Sequence, residues 1–210
     1  MRPWFVVIDG IEGCGKSTQA SMLRDYLKSK GIAAITTKEP GGTRVGKQIR
    51  QILLHGKEEM SALTEAFLFC ADRAEHVMSE IVPALAAEKW VICDRFSPST
   101  FAYQVWGGDI PEDVYDDLNG VATEPLQSIL LAVEQLTIVL DLPAELALAR
   151  IPEEQRDNFE ARPLAYHELV REGFLEWAAM HHTQAVVIDA TPESKYVHGA
   201  IVGLIEDLAF

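Results

Sequence analysis

The sequence predicts an α/β fold, a three-layer sandwich in which a five-stranded parallel sheet lies between helices. Two observations predict it. Five short runs read as strands, Pro3–Asp9, Ala33–Thr37, Trp90–Cys93, Gln135–Asp141 and Ala185–Asp189, and the first has the near-continuous apolar character of a strand buried on both faces. Helical patterns separate them, so strands and helices alternate, which implies parallel pairing through right-handed crossovers. At 210 residues, 48% apolar and 24% charged, the chain is long enough for one domain with a well-buried core.

Taken in order, the first helix is expected from Lys16 to about Ser29, with Gly31 as a natural stop. After the second strand, Glu39-Pro40-Gly41-Gly42-Thr43 forces a loop, and Val45 to Leu54 reads as helix. Ser61 is a candidate cap for a longer helix to about Ala87, in which Leu63, Phe67, Cys70, Ala74, Val77, Ile81 and Leu85 recur at intervals of three and four. Phe69, Arg73 and His76 share a second face, which periodicity alone reads as a solvated stripe. Asp94-Arg95 follows the third strand, and Phe96 to Gln104 is loop turning into helix. Gly107, Gly108 and Pro111 break the stretch Val105–Val133 before two expected helices. Pro143–Ile151, Phe159–His181 and Pro192–Leu208 are the remaining helices, and the polar run 152–158 reads as a mobile loop.

Chemistry concentrates after the first strand, in Gly10-Ile11-Glu12-Gly13-Cys14-Gly15-Lys16-Ser17-Thr18, which has the form G-x-x-x-x-G-K-S. This is a phosphate-binding loop. Glycines let the backbone curl with its N–H groups inward, Lys16 suits the β- and γ-phosphates, Ser17 offers a hydroxyl to Mg²⁺, and the helix adds its positive end. A strand before the motif and a helix after it distinguish it from a chance glycine-rich turn. Asp94 and Arg95 stand at the carboxyl end of a parallel strand, where open α/β sheets bind ligands, although a structural ion pair is the plainer alternative.

The charge excludes some partners. With 18 basic against 32 acidic side chains, the net charge of −14 argues against nucleic acid. Cys14, Cys70 and Cys93 have neither paired nor metal-ligand spacing, which fits a reducing, cytoplasmic compartment. Cys14 either is reactive or fills a small-residue position. No secretory leader is read before the first strand, and no apolar run approaches a membrane span.

Over essentially the full length the chain resembles the thymidylate kinases, P-loop nucleoside monophosphate kinases. The resemblance rests on the loop, Glu39-Pro-Gly-Gly-Thr43, Phe67-Leu-Phe-Cys-Ala-Asp-Arg-Ala-Glu-His76, Asp94-Arg-Phe and Ser99-Thr-Phe-Ala-Tyr-Gln104. It implies transfer of the γ-phosphoryl group of ATP to dTMP, with Mg²⁺, giving dTDP and ADP on the route to dTTP, by a homodimer of one domain with a short lid at about 150–160. ATP would lie on residues 10–18 and Arg150. Phe69 would stack on thymine and Arg73 would donate to its O4, overriding the solvated-stripe reading. Arg95 would bridge the acceptor phosphate and the moving group, oriented by Asp94 and Asp157. Thr100, Tyr103, Gln104, Pro40, Glu12 and Glu160 would complete the acceptor pocket, with Tyr103 crowding a 2′-hydroxyl. Arg156 would arrive from the lid, and Ser17 with Asp94 would hold the metal. Two departures, Lys38 for a usual arginine and Val105-Trp106-Gly107-Gly108-Asp109, touch the acceptor side. A deoxynucleoside kinase, a kinase for a modified deoxynucleoside monophosphate and a non-catalytic ATP-binding module are the competing readings; cationic partners for the acceptor's own phosphate favour the monophosphate kinases.

Overall fold

The computed structural model describes residues 2–129 and 132–210, so positions 130 and 131 of the Val105–Val133 stretch lie outside the described residues. Five strands, β1 (Trp4–Asp9), β2 (Ala34–Lys38), β3 (Trp90–Asp94), β4 (Glu134–Asp141) and β5 (Ala185–Asp189), form one parallel sheet in the order β2-β3-β1-β4-β5. Every residue of β1 is buried, as a central parallel strand requires. Successive side chains of β1 serve opposite faces: Val6 and Ile8 pack with Leu23 and Leu27 of helix α1 (Lys16–Ser29) and with Ile201 and Ile205 of α9 (Ser194–Ala209). Phe5 and Val7 instead join Val77, Ile81, Leu85 and Leu126. Each such aliphatic or aromatic side chain contributes about 1.5–3 kcal/mol on burial.

Between these lie α2 (Arg44–His55), capped by Thr43 Oγ1 accepting from Gly46 N at 2.9 Å, and α3 (Ala62–His76), capped by Ser61 Oγ accepting from Thr64 N at 3.2 Å. The expected single helix to Ala87 is interrupted by a wider π turn, Val77–Ile81, before a short α4, Val82–Ala86. Pro83 has no N–H for a regular helical bond, which accounts for the local irregularity. After α5 (Ser97–Thr100) a second π turn covers Phe101–Trp106. One helix, α6 (Glu112–Ile129), is described where two were expected, and it accommodates Pro125. Beyond α7 (Ala144–Ala149) a single 3₁₀ turn, Glu153–Gln155, lies in the polar run. The last long helix but one, α8 (Leu164–Met180), begins five residues later than its apolar pattern suggests. Pro163 is the cause: it disfavours helical geometry at Arg162 and itself serves as the cap.

Register decides where the chemistry gathers. Ile8 is level with Asp94, and Asp94 with Lys38, so the ends of β1, β2 and β3 converge where the phosphate loop begins.

Candidate active site at the phosphate loop

The loop between β1 and α1 needs its glycines for space as well as for curvature. Gly13 has φ +72°, and a Cβ there would lie 2.2 Å from the carbonyl oxygen of Ala147. Lys16 is buried with its ammonium folded over the loop, donating to the carbonyls of Gly10 at 3.1 Å and Ile11 at 2.6 Å. Burial pushes the Cys14 thiol up despite the ammonium 3.6 Å from its Sγ.

Asp9, to which the motifs assign no role of its own, ties the loop to the segment after β3. It is fully buried, and its two oxygens accept from Phe96 N, Ser99 N and Ser99 Oγ at 3.1, 3.1 and 2.7 Å. Burial raises its carboxyl above the usual range, opposed by Arg95 and by the Ser99 hydroxyl. Arg95 itself takes a left-handed backbone, φ +73°, uncommon for a side chain of its size and placed directly at the strand end. From there it donates to Glu12 Oε1 at 2.7 Å and Ser99 Oγ at 2.9 Å, with Asp9 at 3.7 Å. The Tyr103 hydroxyl donates to the other oxygen of Glu12. Burial works against ionised Glu12, but Arg95, Lys16 and Tyr103 together hold its carboxyl below the usual range.

This corrects the expected partners of Arg95. Asp94, one step earlier, accepts instead from the Ser17 hydroxyl, and Asp157 spends its carboxylate on the backbone N–H groups of Phe159 and Glu160 at 2.9 and 3.0 Å. The left-handed turn at Arg95 separates the two neighbours and sends the guanidinium back over the loop.

A cavity of about 240 Å³ opens beside this cluster. Glu12, Lys16, Ser17, Asp94 and Arg95 line it, together with Phe69, Arg73, Thr100, Tyr103, Gln104, Pro40 and Glu160. The face of α3 that periodicity alone reads as solvated is therefore interior: Arg73 is 1% exposed and His76 is fully buried. Arg73 donates to Glu39 Oε2 at 3.0 Å, Thr100 Oγ1 at 3.0 Å and Asn119 Oδ1 at 3.2 Å, which leaves two of its five N–H groups for a ligand. Glu39 also meets His76 Nδ1 at 3.0 Å.

Four side chains of the site escape sequence reasoning. Phe159 packs on Phe69 and Tyr103, with ring centroids 5.8 and 5.9 Å away; the sequence reads it only as the start of the helix expected to His181. Glu39 and Ser99 are visible as parts of motifs without their pairings to Arg73 and Arg95, while Arg50 lines the cavity with no sequence signal.

Other expected residues lie apart from the cavity. Arg150 donates to the carbonyl of Gly13 at 3.2 Å and to that of Ala190 at 3.5 Å. Arg156 folds back onto the carbonyl of Leu148 at 3.3 Å and does not line the cavity. Gly10, Ile11, Cys14, Gly15 and Thr18 shape the loop and the helix start rather than the cavity wall. Among the described residues no cluster of three or more histidines, cysteines or carboxylates forms a metal cage. Ser17 and Asp94 offer instead two hard oxygens beside the loop, a donor set that fits a Mg²⁺ carried mainly by phosphates and water.

A family model described as thymidylate kinase matches residues 8–201. The chain belongs to the thymidylate kinase family. A thymidylate kinase of Symbiobacterium thermophilum is 42% identical over 205 residues, spanning 97% of this chain and 93% of that one. One from Desulfosudis oleivorans is 40% identical over 211 residues, 96% of each. The crystal structure of the thymidylate kinase from Ehrlichia chaffeensis superposes with a TM-score of 0.75 at 27% identity, covering 98% of this chain and 100% of that one. The match spans the loop, the α3 face and the segment after β3, which in this chain line one cavity.

Proposed function

We infer that this chain transfers the γ-phosphoryl group of ATP to dTMP, giving dTDP and ADP. The observation that carries this reading is that one cavity joins the phosphate loop to Phe69 and Arg73 of α3. A phosphoryl donor and a planar acceptor thereby share one enclosure.

In this reading an oxygen of the dTMP phosphate attacks the γ-phosphorus, and the bond to the β–γ bridging oxygen breaks as ADP leaves. Lys16 and the loop N–H groups hold the donor phosphates, where fixed dipoles need no reorganisation as charge develops. Arg95, aimed by Glu12 and Ser99, bridges acceptor and transferring groups. Phe69 stacks on the base, and Arg73 donates to its O4. Tyr103, anchored to Glu12, closes the space a 2′-hydroxyl would need. Thr100, Gln104, Pro40 and Glu160 complete the acceptor enclosure. Ser17 and Asp94 would hold Mg²⁺, which neutralises phosphate charge when bound.

Residues 1–210 are read as one domain with a short lid at about 150–160. Arg156 would turn inward on closure, and Arg150 would cover the nucleotide from its place on Gly13. We further propose a homodimer. Supporting it, Leu63, Phe67 and Met78 along α3 and its π turn, and Val121 on α6, are exposed apolar side chains on neighbouring elements. No described helix is long and apolar enough to cross a membrane, and three free cysteines support a cytoplasmic placement.

A kinase for free deoxynucleosides is disfavoured because Lys38, Arg50 and Arg95 line the cavity, charges that a neutral acceptor does not require. The deciding experiment is ADP release from ATP and Mg²⁺ with dTMP, dUMP, ribose-TMP, dCMP, dGMP, thymidine or no acceptor. Dependence on dTMP with dTDP as product is expected. Dependence on thymidine would reassign the acceptor, and release independent of any acceptor would remove the transfer reaction.

A further inference from the structure

Glu65 belongs to neither the loop nor the motifs that mark the acceptor pocket, yet it lies on α3 four residues before Phe69 and eight before Arg73, on the same helical face. It is 4% exposed. One of its oxygens accepts from Arg162 Nη2 at 2.5 Å and the other from Gln104 Nε2 at 3.0 Å. Gln104 lines the cavity, is 1% exposed and is held at its backbone by Ile110 N. Its Oε1 is buried and has no hydrogen-bond partner among the described residues. An acceptor left in that state costs free energy until a donor arrives.

We propose that Glu65 is a positioning residue that sets which end of the Gln104 amide faces the acceptor base. A carboxylate paired with a guanidinium only accepts hydrogen bonds, so Gln104 must give Glu65 its NH₂ and keep its oxygen for the cavity. An oxygen there, beside the Arg73 donors, matches a base with a carbonyl next to a ring N–H. Thymine and uracil have that order. Cytosine presents an amino group next to a bare ring nitrogen, and would set donor against donor and acceptor against acceptor. Arg162 holds Glu65 from the segment just after the proposed lid.

The inference rests on reading the cavity as the dTMP site. Its test is the ratio of kcat/KM for dTMP to that for dCMP, with the KM for ATP as control. Glu65→Gln, which lets either amide end face Gln104, is expected to lower the ratio about tenfold, mainly through KM for dTMP, and to leave the KM for ATP within about twofold. In a Gln104→Met background the same substitution should change nothing further. An unchanged ratio in Glu65→Gln, or an equal loss in both backgrounds, overturns the proposal. If Glu65→Gln does not fold, Glu65→Asp decides by withdrawing the carboxylate one methylene: an unchanged ratio overturns the proposal and a lowered one supports it. A native protein that uses dTMP and dCMP equally overturns the role of Glu65 but not the kinase reading, whereas one inactive on dTMP removes both.

Discussion

Glu12 and Arg95, 83 residues apart, meet at 2.7 Å above the phosphate loop, with the Tyr103 hydroxyl on the other Glu12 oxygen. The pair joins the loop that would hold the donor to the arginine that would hold the acceptor phosphate. Removing the charge at position 12 leaves the guanidinium its bonds to Ser99 and the Gly10 carbonyl but loosens its aim. Glu12→Gln is expected to lower kcat by about 10- to 100-fold with a smaller effect on the KM for ATP, measured by steady-state kinetics. An unaltered kcat would show that the pair does not aim Arg95.

Lys16→Ala removes the one ammonium inside the loop. Its present partners are two loop carbonyls and the Cys14 sulfur, so folding should survive, with a thermal midpoint within a few degrees of the native one. Turnover should fall by at least about 10²- to 10³-fold. Near-normal turnover would take the loop out of the mechanism.

Arg73→Ala has two consequences that one assay would confuse. Glu39 would be left buried with only His76, so stability should drop by about 3–5 kcal/mol in chemical denaturation. Kinetics well below the transition should show the dTMP KM rising far more than that for ATP. Equal changes in the two would defeat the base-reading role.

Tyr103→Ala tests the steric gate. The ring packs on Phe159 and Phe174, so some stability is lost with it, about 3–5 kcal/mol for a buried aromatic. The informative quantity is the ratio of ribose-TMP to dTMP turnover, which should rise about tenfold. No relative gain would mean that another group excludes the 2′-hydroxyl.

Asp72 gives a pH dependence with a definite sign. Burial first, then the nearby Glu39 carboxylate, push its carboxyl up to about 6, although Gly41 N donates to it at 3.0 Å. A carboxyl raised on folding binds its proton more tightly in the native state, so its contribution to stability is full below about pH 4 and is lost between about 4 and 6. Asp72→Asn should remove this dependence. The difference in unfolding free energy between the variant and the native protein should therefore shift in the variant's favour by about 2 kcal/mol from pH 4 to pH 7. A constant difference would show that Asp72 is not the titrating group.

The amino-acid sequence alone carried the strand and helix alternation, the loop from Gly10 to Thr18 and the cap at Ser61, because these follow from periodicity and local backbone chemistry. It also carried the family, through motifs of fixed spacing. It misplaced the start of α8 by following apolar period past Pro163, and read one helix where Pro83 breaks the bonding pattern. Tertiary structure alone decided the partners. That Arg95 answers to Glu12 rather than Asp94, that Arg73 is gripped by Glu39, and that Glu65 faces Gln104 depend on parallel register and crossing helices. Those contacts join residues dozens of positions apart, and no local spacing encodes which of several nearby carboxylates a guanidinium will reach.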